Sequence, residues 1–256
     1  GPTPHGSGTL GSMLRAVTFD FWSTLFVDTR GKEREELRAA VLRDTLSTAG
    51  LPVTPQALTE SLSASWGHFD TVWLNEHRTP PCSELVDAIL ASLGVRLPRE
   101  LSDPLVDRFE RLVLEIPPEP MPGAVYTMPQ LAERYRLAII CDTGFSPGSV
   151  LRQLLDKHDL LGYFEYTYFS NEHGISKPDT RVFIHVLEEL GVRPPEAAHV
   201  GDIQRTDIAG AQAAGMSAVH FVGVNNKDLP HSTGDVVVSH FEELPRALGS
   251  LICAGC

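Results

Sequence analysis

The feature that most constrains the fold is an alternation of short apolar runs and amphipathic helical stretches after Gly123. Apolar runs typical of strands lie at 137–141, 166–169, 197–200 and 217–222, with a candidate edge strand at 235–238. Helical patterns lie between them, at 147–157, 179–190 and 206–214. Repeated strand–helix–strand units predict a doubly wound parallel sheet with right-handed crossovers. In such sheets, ligands bind at the carboxyl ends of the strands.

A helical stretch of about 85 residues interrupts this pattern. It follows the first predicted strand, 14–20, and contains amphipathic segments at 33–49, 54–66, 83–93 and 103–116. The proline-rich segment 117–123 then ends it. We therefore expect an α/β, Rossmann-like core made of residues 13–31 and 117–252, with an α-helical cap domain inserted at 32–116.

Charge and hydropathy exclude two classes of partner. The net charge is −12, and such a surface repels polyanions, so we expect no nucleic-acid binding. No apolar run approaches the roughly 18 residues that a transmembrane helix needs, so we expect no membrane contact. Residues 1–12 lack the charged and apolar regions of a signal peptide. We interpret them as an expression tag and linker, with Met13 as the native start.

The cysteines indicate a reducing compartment. Four of them in 256 residues, without a secretion signal, argue against a disulfide scaffold and predict a cytoplasmic protein. Cys253 and Cys256 have C-x-x-C spacing, but no second pair accompanies them and a structural zinc needs four ligands. A terminal tail without a metal is therefore the expectation, and any role of this pair is left open.

Acids and small polar residues follow the predicted strands. These segments are Asp20, Cys141-Asp142-Thr143-Gly144, Ser176-Lys177-Pro178-Asp179 and Gly201-Asp202 through Asp207. Any one of them alone would be a turn former or a helix cap. Together, and in this order at strand ends, they indicate one site.

The residue types suit phosphoryl transfer. A carboxylate on a rigid strand end, Asp20, can act as a nucleophile and form an acyl-phosphate. Mg²⁺ held by Asp20 and Asp202 would offset the like charges of nucleophile and phosphate. Lys177 would add a fixed positive charge on the transferring group. Backbone N–H groups of the turn at 142–144 can bind phosphate oxygens.

These segments resemble the motifs of the haloacid dehalogenase superfamily. The run from Asp20 through Trp22 and Thr24 is similar to its first motif, Lys177-Pro178 to the third, and Gly201-Asp202 through Asp207 to the magnesium-binding fourth. The helical insert resembles the cap of subfamily I, the subfamily with an α-helical C1 cap. The resemblance extends from Met13 to about Val222.

The resemblance implies a role for each matching residue. Asp20 would be the nucleophile, and Mg²⁺ would be bound by the carboxylates of Asp20 and Asp202 and by the main-chain carbonyl of Trp22. Asp207 would support the metal site or Lys177. Lys177 would stabilise charge on Asp20 and phosphate.

The first and second motifs depart from the family pattern. Family phosphatases carry a second aspartate two residues after the nucleophile, where this chain has Trp22, which cannot transfer a proton. Losing a general acid removes about 10²–10⁴-fold in rate for a poor leaving group. The second motif supplies Ser or Thr where this chain has Cys141, and Thr143 is a candidate substitute. We interpret Cys141, Asp142 and Thr143 as phosphate-binding positions, and Thr24 as the residue that holds the first loop.

The cap of this architecture is expected to contact the substrate. Its candidate residues are Trp66, His68, Trp73, His77 and Arg78. The two tryptophans also fit the interior of the cap, and His77-Arg78 also fits a solvated helix end. The functional interpretation is that His77 or Arg78 pairs with an anionic part of the substrate.

Three functions are compatible with these residues. The first is a Mg²⁺-dependent phosphatase that acts on a small phosphorylated metabolite through an aspartyl-phosphate, as a monomer or homodimer. The second is a hydrolase similar to 2-haloacid dehalogenases, in which Asp20 attacks carbon and halide departs without a proton. Dehalogenases carry tyrosine at the position of Trp22, but they lack the magnesium-type fourth motif. The third is a binding protein whose catalysis is weakened or lost because Trp22 replaces the general acid.

Overall fold

The computed structural model describes residues 13–253, with the side chains of residues 13–251. The strands are β1 (Ala16–Phe19), β2 (Phe26–Val27), β3 (Glu119–Pro120), β4 (Arg136–Cys141), β5 (Tyr166–Phe169), β6 (Ala197–Gly201), β7 (Ser217–Phe221) and β8 (Val236–Val238). The helices are α1 (Gly31–Thr48), α2 (Pro55–Glu76), α3 (Cys82–Leu93), α4 (Arg99–Glu115), α5 (Ala124–Ala132), α6 (Gly148–Lys157), α7 (Ser170–His173), α8 (Thr180–Leu190), α9 (Ala209–Ala213) and α10 (Leu244–Cys253). The interpretation of residues 1–12 and the Cys253–Cys256 pair fall outside the described residues and side chains.

Six strands form one parallel sheet in the order β5-β4-β1-β6-β7-β8. Every strand predicted from the apolar runs is present, and β8 occupies the predicted edge. β1 lies between β4 and β6, so the chain crosses over to both sides of it. The predicted doubly wound α/β fold is confirmed, and its crevice lies at the carboxyl end of β1.

Both faces of the sheet are buried, as parallel sheets require. Val17 and Phe19 of β1 pack into one apolar cluster with α5, α6 and α10. Ala16 points to the opposite face, into a second cluster with α8 and α9. Because successive side chains of a strand point to opposite faces, this one short strand contributes side chains to both hydrophobic clusters. This burial makes the strand ends rigid supports for the polar residues that follow them.

Helices α1 to α4 pack around a third apolar cluster, which includes Leu42, Leu85 and Phe109. The hydroxyl of Thr54 accepts a hydrogen bond from Ala57 N, 3.2 Å away, which confirms the predicted helix start. α4 begins at Arg99, four residues before the predicted start, and carries Pro104 within its first turns. This helical content fits an inserted cap, and its division from the core at residues 32 and 116 stays a prediction.

Two short strands, β2 and β3, and three helices, α5, α7 and α10, were not predicted. β2 and β3 pair antiparallel where the chain leaves and re-enters the sheet, and Met121 N donates to Leu25 O at 2.7 Å. The proline-rich segment 117–123 therefore contains a strand, because a distant partner fixes its backbone. Helices α5 and α10 cover one face of the sheet. Among the helices of residues 13–253, none combines the length and hydrophobicity that a membrane span requires.

Candidate active site

Three acids meet where β4, β1 and β6 end. Asp20, Asp142 and Asp202 each follow one of these adjacent strands directly. The carboxyl ends of parallel strands share one edge of the sheet, so residues far apart in sequence become neighbours there. The sequence-based prediction of a single site at the strand ends is consistent with this placement.

Lys177 links two of the predicted site residues. Its Nζ lies 2.7 Å from Asp20 Oδ1 and 2.7 Å from Asp207 Oδ1, and its side chain is 2% exposed. Burial disfavours the ammonium form, but the carboxylates of Asp20, Asp207 and Asp142 outweigh it and raise the pKa of Lys177 well above its usual value. Burial raises the pKa of Asp20 to about 6, against the opposing effect of Lys177. Lys177 is therefore a fixed cation beside the candidate nucleophile.

Asp202 has no ion pair at 4.0 Å or less among the described residues. Its oxygens lie within 4.8 Å of carboxylate oxygens of Asp20 and Asp207. Burial, together with the charges of those two neighbours, raises the pKa of Asp202 to about 9. Its buried Oδ1 has no hydrogen-bond partner among the described residues. Three carboxylates around one ammonium, with one buried oxygen left over, fit the ligand set of a hard divalent cation.

Two residues that the sequence analysis missed hold Asp202 in place. Asn225 Nδ2, from the loop after β7, donates to Asp202 Oδ2 at 2.8 Å. His220 Nε2, on β7, lies 3.0 Å from the main-chain oxygen of Asp202 and donates to it. The sequence did hold a signal for the contact of His220, because a histidine inside an apolar strand is unusual. Asn225 left no signal, because its loop has no regular pattern.

A second buried histidine supports Asp207. His199 Nε2 on β6 lies 3.0 Å from Asp207 Oδ1, and its Nδ1 lies 2.7 Å from Thr18 Oγ1 on β1. Ile203 N donates to Asp207 Oδ2 at 3.0 Å. Burial opposes the charge of Asp207, yet Lys177 and His199 together lower the pKa of Asp207 below its usual value. Asp207 is thus held as an anion that orients Lys177.

Two of the three predicted second-motif residues, Cys141 and Thr143, make their contacts inside the core. The thiol of Cys141 is fully buried and lies 3.5 Å from the carbonyl oxygen of Asp142, and burial raises its pKa. Thr143 N donates to Ser170 Oγ at 2.9 Å, and Asn171 N donates to Thr143 Oγ1 at 3.2 Å. The amide and hydroxyl of Thr143 are therefore engaged inside the core. This geometry places them away from the role that the sequence suggested.

Thr24 also differs from its predicted role. Its hydroxyl is buried and has no hydrogen-bond partner among the described residues. The loop after β1 is held by the backbone, since Leu25 N and Phe26 N both donate to Phe21 O, at 2.9 and 3.0 Å. Main-chain hydrogen bonds, rather than the threonine side chain, fix this turn.

Two adjoining cavities lie above the strand ends. The nucleophile cavity, about 300 Å³, is lined by residues that include Asp20, Lys177 and Asp202. The aromatic cavity, about 360 Å³, is lined by residues that include Trp66 and Phe145. Trp22, Phe69 and Asp142 belong to both linings. A substrate could therefore place its reacting group in the first cavity and the rest of the molecule in the second.

Two arginines of the aromatic cavity were missed from the sequence. Arg34 pairs with Asp28, and its Nη1 donates to Ile116 O at 2.9 Å. Arg38 pairs with Glu35, and its guanidinium carbon lies 4.0 Å from the centre of the Phe145 ring. Positions 34, 38, 42 and 46 are all buried on one face of α1. That i, i+4 spacing to Leu42 and Leu46 was the available signal.

The predicted cap tryptophans reach the site. Trp73 Nε1 donates to Asp142 Oδ2 at 2.8 Å, and the guanidinium carbon of Arg205 lies 4.5 Å from the ring centre of Trp73. The rings of Trp66 and Phe145 pack edge to face, with centroids 5.1 Å apart. Helix α2 is therefore fastened to the sheet directly above the nucleophile cavity.

The other predicted cap residues lie elsewhere. Arg78 Nη1 donates to Glu84 at 2.9 Å, Arg78 Nε donates to Glu76 at 2.7 Å, and His68 Nε2 lies 2.7 Å from Glu84. Among the described residues that line the two cavities, neither His77 nor Arg78 is present. His77 instead accepts a hydrogen bond from Ser176 N at 2.8 Å through its main-chain oxygen. The side chains of Arg78 and His77 are thus not brought to the site.

We expect the Arg78→Ala variant to bind substrate as the parent protein does. Its guanidinium is matched by Glu76 and Glu84 and is partly exposed, so its removal changes surface ion pairs worth under about 1 kcal/mol each. The expected result is a KM within about twofold of the parent value, measured by initial rates on a phosphate ester. A tenfold rise in KM with unchanged kcat would show that Arg78 contacts the substrate.

The comparisons with known proteins agree with this geometry. The model of the haloacid dehalogenase-like hydrolase family matches residues 14–215. The chain belongs to this family. The match covers β1 to β6 and the segments that carry Asp20, Lys177, Asp202 and Asp207. This haloacid dehalogenase-like hydrolase is therefore an enzyme, and these four candidate residues lie within the matched region.

Relatives of this hydrolase include proteins named as phosphatases. It is 30% identical over 215 residues to the glyceraldehyde 3-phosphate phosphatase of Methanothermobacter thermautotrophicus, which covers 81% of this chain and 85% of the relative. It is 35% identical to the phosphoserine phosphatase of Thermus thermophilus over 113 residues, less than half of each chain. Among solved structures, a 2-haloacid dehalogenase from Pseudomonas syringae is 26% identical, with a TM-score of 0.69, and the match covers 93% of this chain and 99% of that one.

Proposed function

We propose that this hydrolase is a Mg²⁺-dependent phosphatase that acts on a small phosphorylated metabolite through an aspartyl-phosphate on Asp20. One observation carries the proposal: the buried Lys177 joins Asp20 to Asp207 beside an Asp202 oxygen that has no hydrogen-bond partner among the described residues. Relatives named as phosphatases support the same reaction.

The residues around Asp20 suit an in-line displacement at phosphorus. Lys177 holds Oδ1 of Asp20, which orients the carboxylate toward the nucleophile cavity. In the first step an Asp20 oxygen attacks phosphorus, and the bond from phosphorus to the leaving oxygen breaks. In the second step water attacks the same phosphorus, which releases inorganic phosphate and restores Asp20.

The charges are positioned before the reaction. A bound Mg²⁺, held by Asp20, Asp202 and the carbonyl of Trp22, would neutralise charge between the nucleophile and the phosphate. The Lys177 ammonium needs no reorganisation, because Asp207 fixes it at 2.7 Å. Asp207 in turn is fixed by His199 and Ile203 N. These residues keep a positive charge beside the phosphoryl group through both steps.

Dehalogenation is the second candidate, and two observations favour it. Trp22 cannot protonate a leaving group, and halide needs no proton. The similarity to a 2-haloacid dehalogenase covers nearly the whole chain. The Asp202 oxygen that has no partner in the part of the chain that the structure describes weighs against it, because attack on carbon by Asp20 gives that oxygen no cation to bind. EDTA-insensitive release of halide from 2-chloropropionate would favour this candidate over the phosphatase.

Hydrolysis of 4-nitrophenyl phosphate tests the proposal directly. We expect turnover with Mg²⁺, loss of turnover in EDTA, and recovery when Mg²⁺ is restored in excess. Turnover that persists in EDTA, or its absence with every phosphate ester tried, would contradict the proposal.

Metal binding has a readout that is independent of activity. Saturating Mg²⁺ is expected to raise the Tm of the parent protein, since a ligand at 100 times its Kd stabilises by about 2.7 kcal/mol, or roughly 5–10 °C here. Asp202→Asn removes a proposed ligand and is expected to abolish the shift, measured by differential scanning fluorimetry. The matched variant Asp103→Asn alters an exposed residue of α4 and should keep the full shift. An equal shift in Asp202→Asn would place the cation elsewhere.

A further inference from the structure

We propose that Asp142 performs the proton transfers that Trp22 cannot perform. This inference rests on the phosphatase function proposed above and adds the group that protonates the leaving oxygen and later deprotonates water. It assigns to the Asp142 side chain a role distinct from phosphate binding by the turn that contains it.

The lining of the nucleophile cavity leaves one unassigned titratable group. Its described residues with titratable side chains are Asp20, Asp142, Lys177, Asp202 and Asp207. Asp20 is the nucleophile, Asp202 faces the proposed cation, and Asp207 and Lys177 are paired with each other. Asp142 remains, and its carboxyl has no salt bridge at 4.0 Å or less among the described residues.

Asp142 also lies where a leaving group would depart. It lines both the nucleophile cavity and the aromatic cavity, so it borders the passage from the phosphoryl group to the rest of the substrate. Trp22, at the position of the family's second aspartate, lines the same two cavities. A carboxyl directly after β4 can therefore face the same leaving oxygen that a carboxyl at position 22, in the loop after β1, would face.

Hydrogen bonds from two sides fix the orientation of this carboxyl. Lys177 N donates to Asp142 Oδ1 at 3.1 Å, and Trp73 Nε1 donates to Asp142 Oδ2 at 2.8 Å. The first donor belongs to the sheet side of the site and the second to helix α2. Proton transfer requires such a held geometry, because the donor must stay within hydrogen-bond reach of the leaving oxygen.

The electrostatic surroundings are suited to a group that both gives and takes a proton. The protein around the Asp142 carboxyl desolvates it and raises its pKa, against the lowering effects of Lys177 and Trp73, while Asp207 adds to the rise. The Asp142 carboxylate also interacts electrostatically with the guanidinium of Arg205 and with the phenol of Tyr168. A carboxyl whose pKa lies above its usual value retains its proton nearer to neutral pH.

The proposed steps balance. As the bond from phosphorus to the leaving oxygen breaks, the Asp142 carboxyl gives its proton to that oxygen, and the product leaves as a neutral alcohol. The Asp142 carboxylate then takes a proton from water as the water oxygen bonds to phosphorus. The bond from phosphorus to the Asp20 oxygen breaks, Asp20 leaves as a carboxylate, and Asp142 is protonated again.

A pair of aryl phosphates with different leaving groups tests the role. For Asp142→Asn we expect kcat/KM for phenyl phosphate to fall by about 10²–10⁴-fold, and for 4-nitrophenyl phosphate to fall much less, because 4-nitrophenolate leaves without a proton. With 4-nitrophenyl phosphate, a burst of one nitrophenol per enzyme should precede slow turnover, since water activation is lost as well. A purely structural role for Asp142 would lower both substrates equally and give no burst.

Two further variants separate a chemical effect from misfolding. Asp156→Asn makes the same replacement on the exposed face of α6 and should retain the parent ratio of the two substrates. Trp22→Asp restores a carboxyl at the family position. In the Asp142→Asn background, we expect it to raise kcat/KM for phenyl phosphate at least tenfold over that of Asp142→Asn alone.

The outcomes distinguish this inference from the function on which it rests. If Asp142→Asn retains the parent tertiary structure by near-ultraviolet circular dichroism and the parent ratio of the two substrates, Asp142 is not the proton-transfer group, and the phosphatase proposal still stands on the EDTA result. If the burst is absent and Trp22→Asp recovers nothing, the inference is likewise overturned. If the parent protein hydrolyses neither phosphate with Mg²⁺, both proposals are wrong.

Discussion

Replacing Asp20 with asparagine is expected to lower kcat for 4-nitrophenyl phosphate by about 10⁴-fold or more. An amide of the same shape fills the same space but is a poor nucleophile at phosphorus. The side chain is 7% exposed and contacts Lys177 at 2.7 Å, so the replacement changes chemistry more than packing. Initial rates with saturating Mg²⁺ measure the effect.

The control for this replacement is Asp44→Asn. Asp44 is an exposed residue of α1 that pairs only with neighbouring Arg43 among the described residues, and its variant should keep the parent kcat. Retention of more than about a tenth of the activity in Asp20→Asn would place the nucleophile elsewhere. Mass spectrometry of acid-quenched parent enzyme should add one phosphoryl group to the peptide that carries Asp20, and Asp20→Asn should lack it.

Lys177→Met is expected to destabilise the protein by about 3–5 kcal/mol at pH 8, a fall in Tm of roughly 6–20 °C. The replacement leaves Asp20 and Asp207 buried without the cation that both contact at 2.7 Å. Removal of one partner of a buried ion pair costs more than the pair contributes, because a buried charge stays uncompensated. Thermal unfolding followed by circular dichroism in EDTA measures the change.

The pH dependence of this variant has a definite sign. Without Lys177, the folded-state pKa of Asp20 rises further above its unfolded value and the pKa of Asp207 rises as well, since burial is then opposed mainly by His199. Groups with a raised folded pKa stabilise most at low pH and lose that contribution as pH increases. The Tm deficit of Lys177→Met should therefore be smaller at pH 5 than at pH 8. The control Lys32→Met, at an exposed position of α1, should have a Tm within about 2 °C of the parent at pH 5 and at pH 8. A Tm deficit of Lys177→Met that is also within about 2 °C would contradict the prediction.

The fold could be predicted well because each strand of the sheet is a short apolar run that can be recognised from its own residues. Each apolar run of four to six residues became a strand of the parallel sheet, and the long helical stretch became α1 to α4. The elements that were missed, β2, β3, α5, α7 and α10, depend on distant partners. Met121 N, for example, takes its place by donating to Leu25 O across the ribbon. Local pattern carries no record of such a contact.

The candidate site also contains residues that the sequence predicted and residues that it did not. Asp20, Lys177, Asp202 and Asp207 were predicted as one site, because residues that follow parallel strands must share the carboxyl edge of the sheet. The residues that fix them, His199, His220 and Asn225, were missed. Their roles follow from which strands are neighbours, and strand order is a property of the assembled sheet.

The cap shows where helical periodicity stops being informative. The pattern of α2 identified Trp66 and Trp73 but could not tell what either ring faces. The structure places Trp73 Nε1 against Asp142, 69 residues away, and places Arg78 against Glu84 on the neighbouring helix. Arg34 and Arg38 lie in the buried stripe of α1, although the sequence analysis did not single them out.

The sequence by itself determined the alternating α/β core, the inserted helices, the family and the acids and lysine at the strand ends. These depend on local periodicity and on residues next to one another in the chain. Only the tertiary structure decided that Thr143 is engaged in the core, that Arg78 lies outside the cavities, and that Asp142 is held between the sheet and helix α2. The physical reason is that a side chain's partner depends on how whole helices and strands rotate and pack, which no short segment specifies.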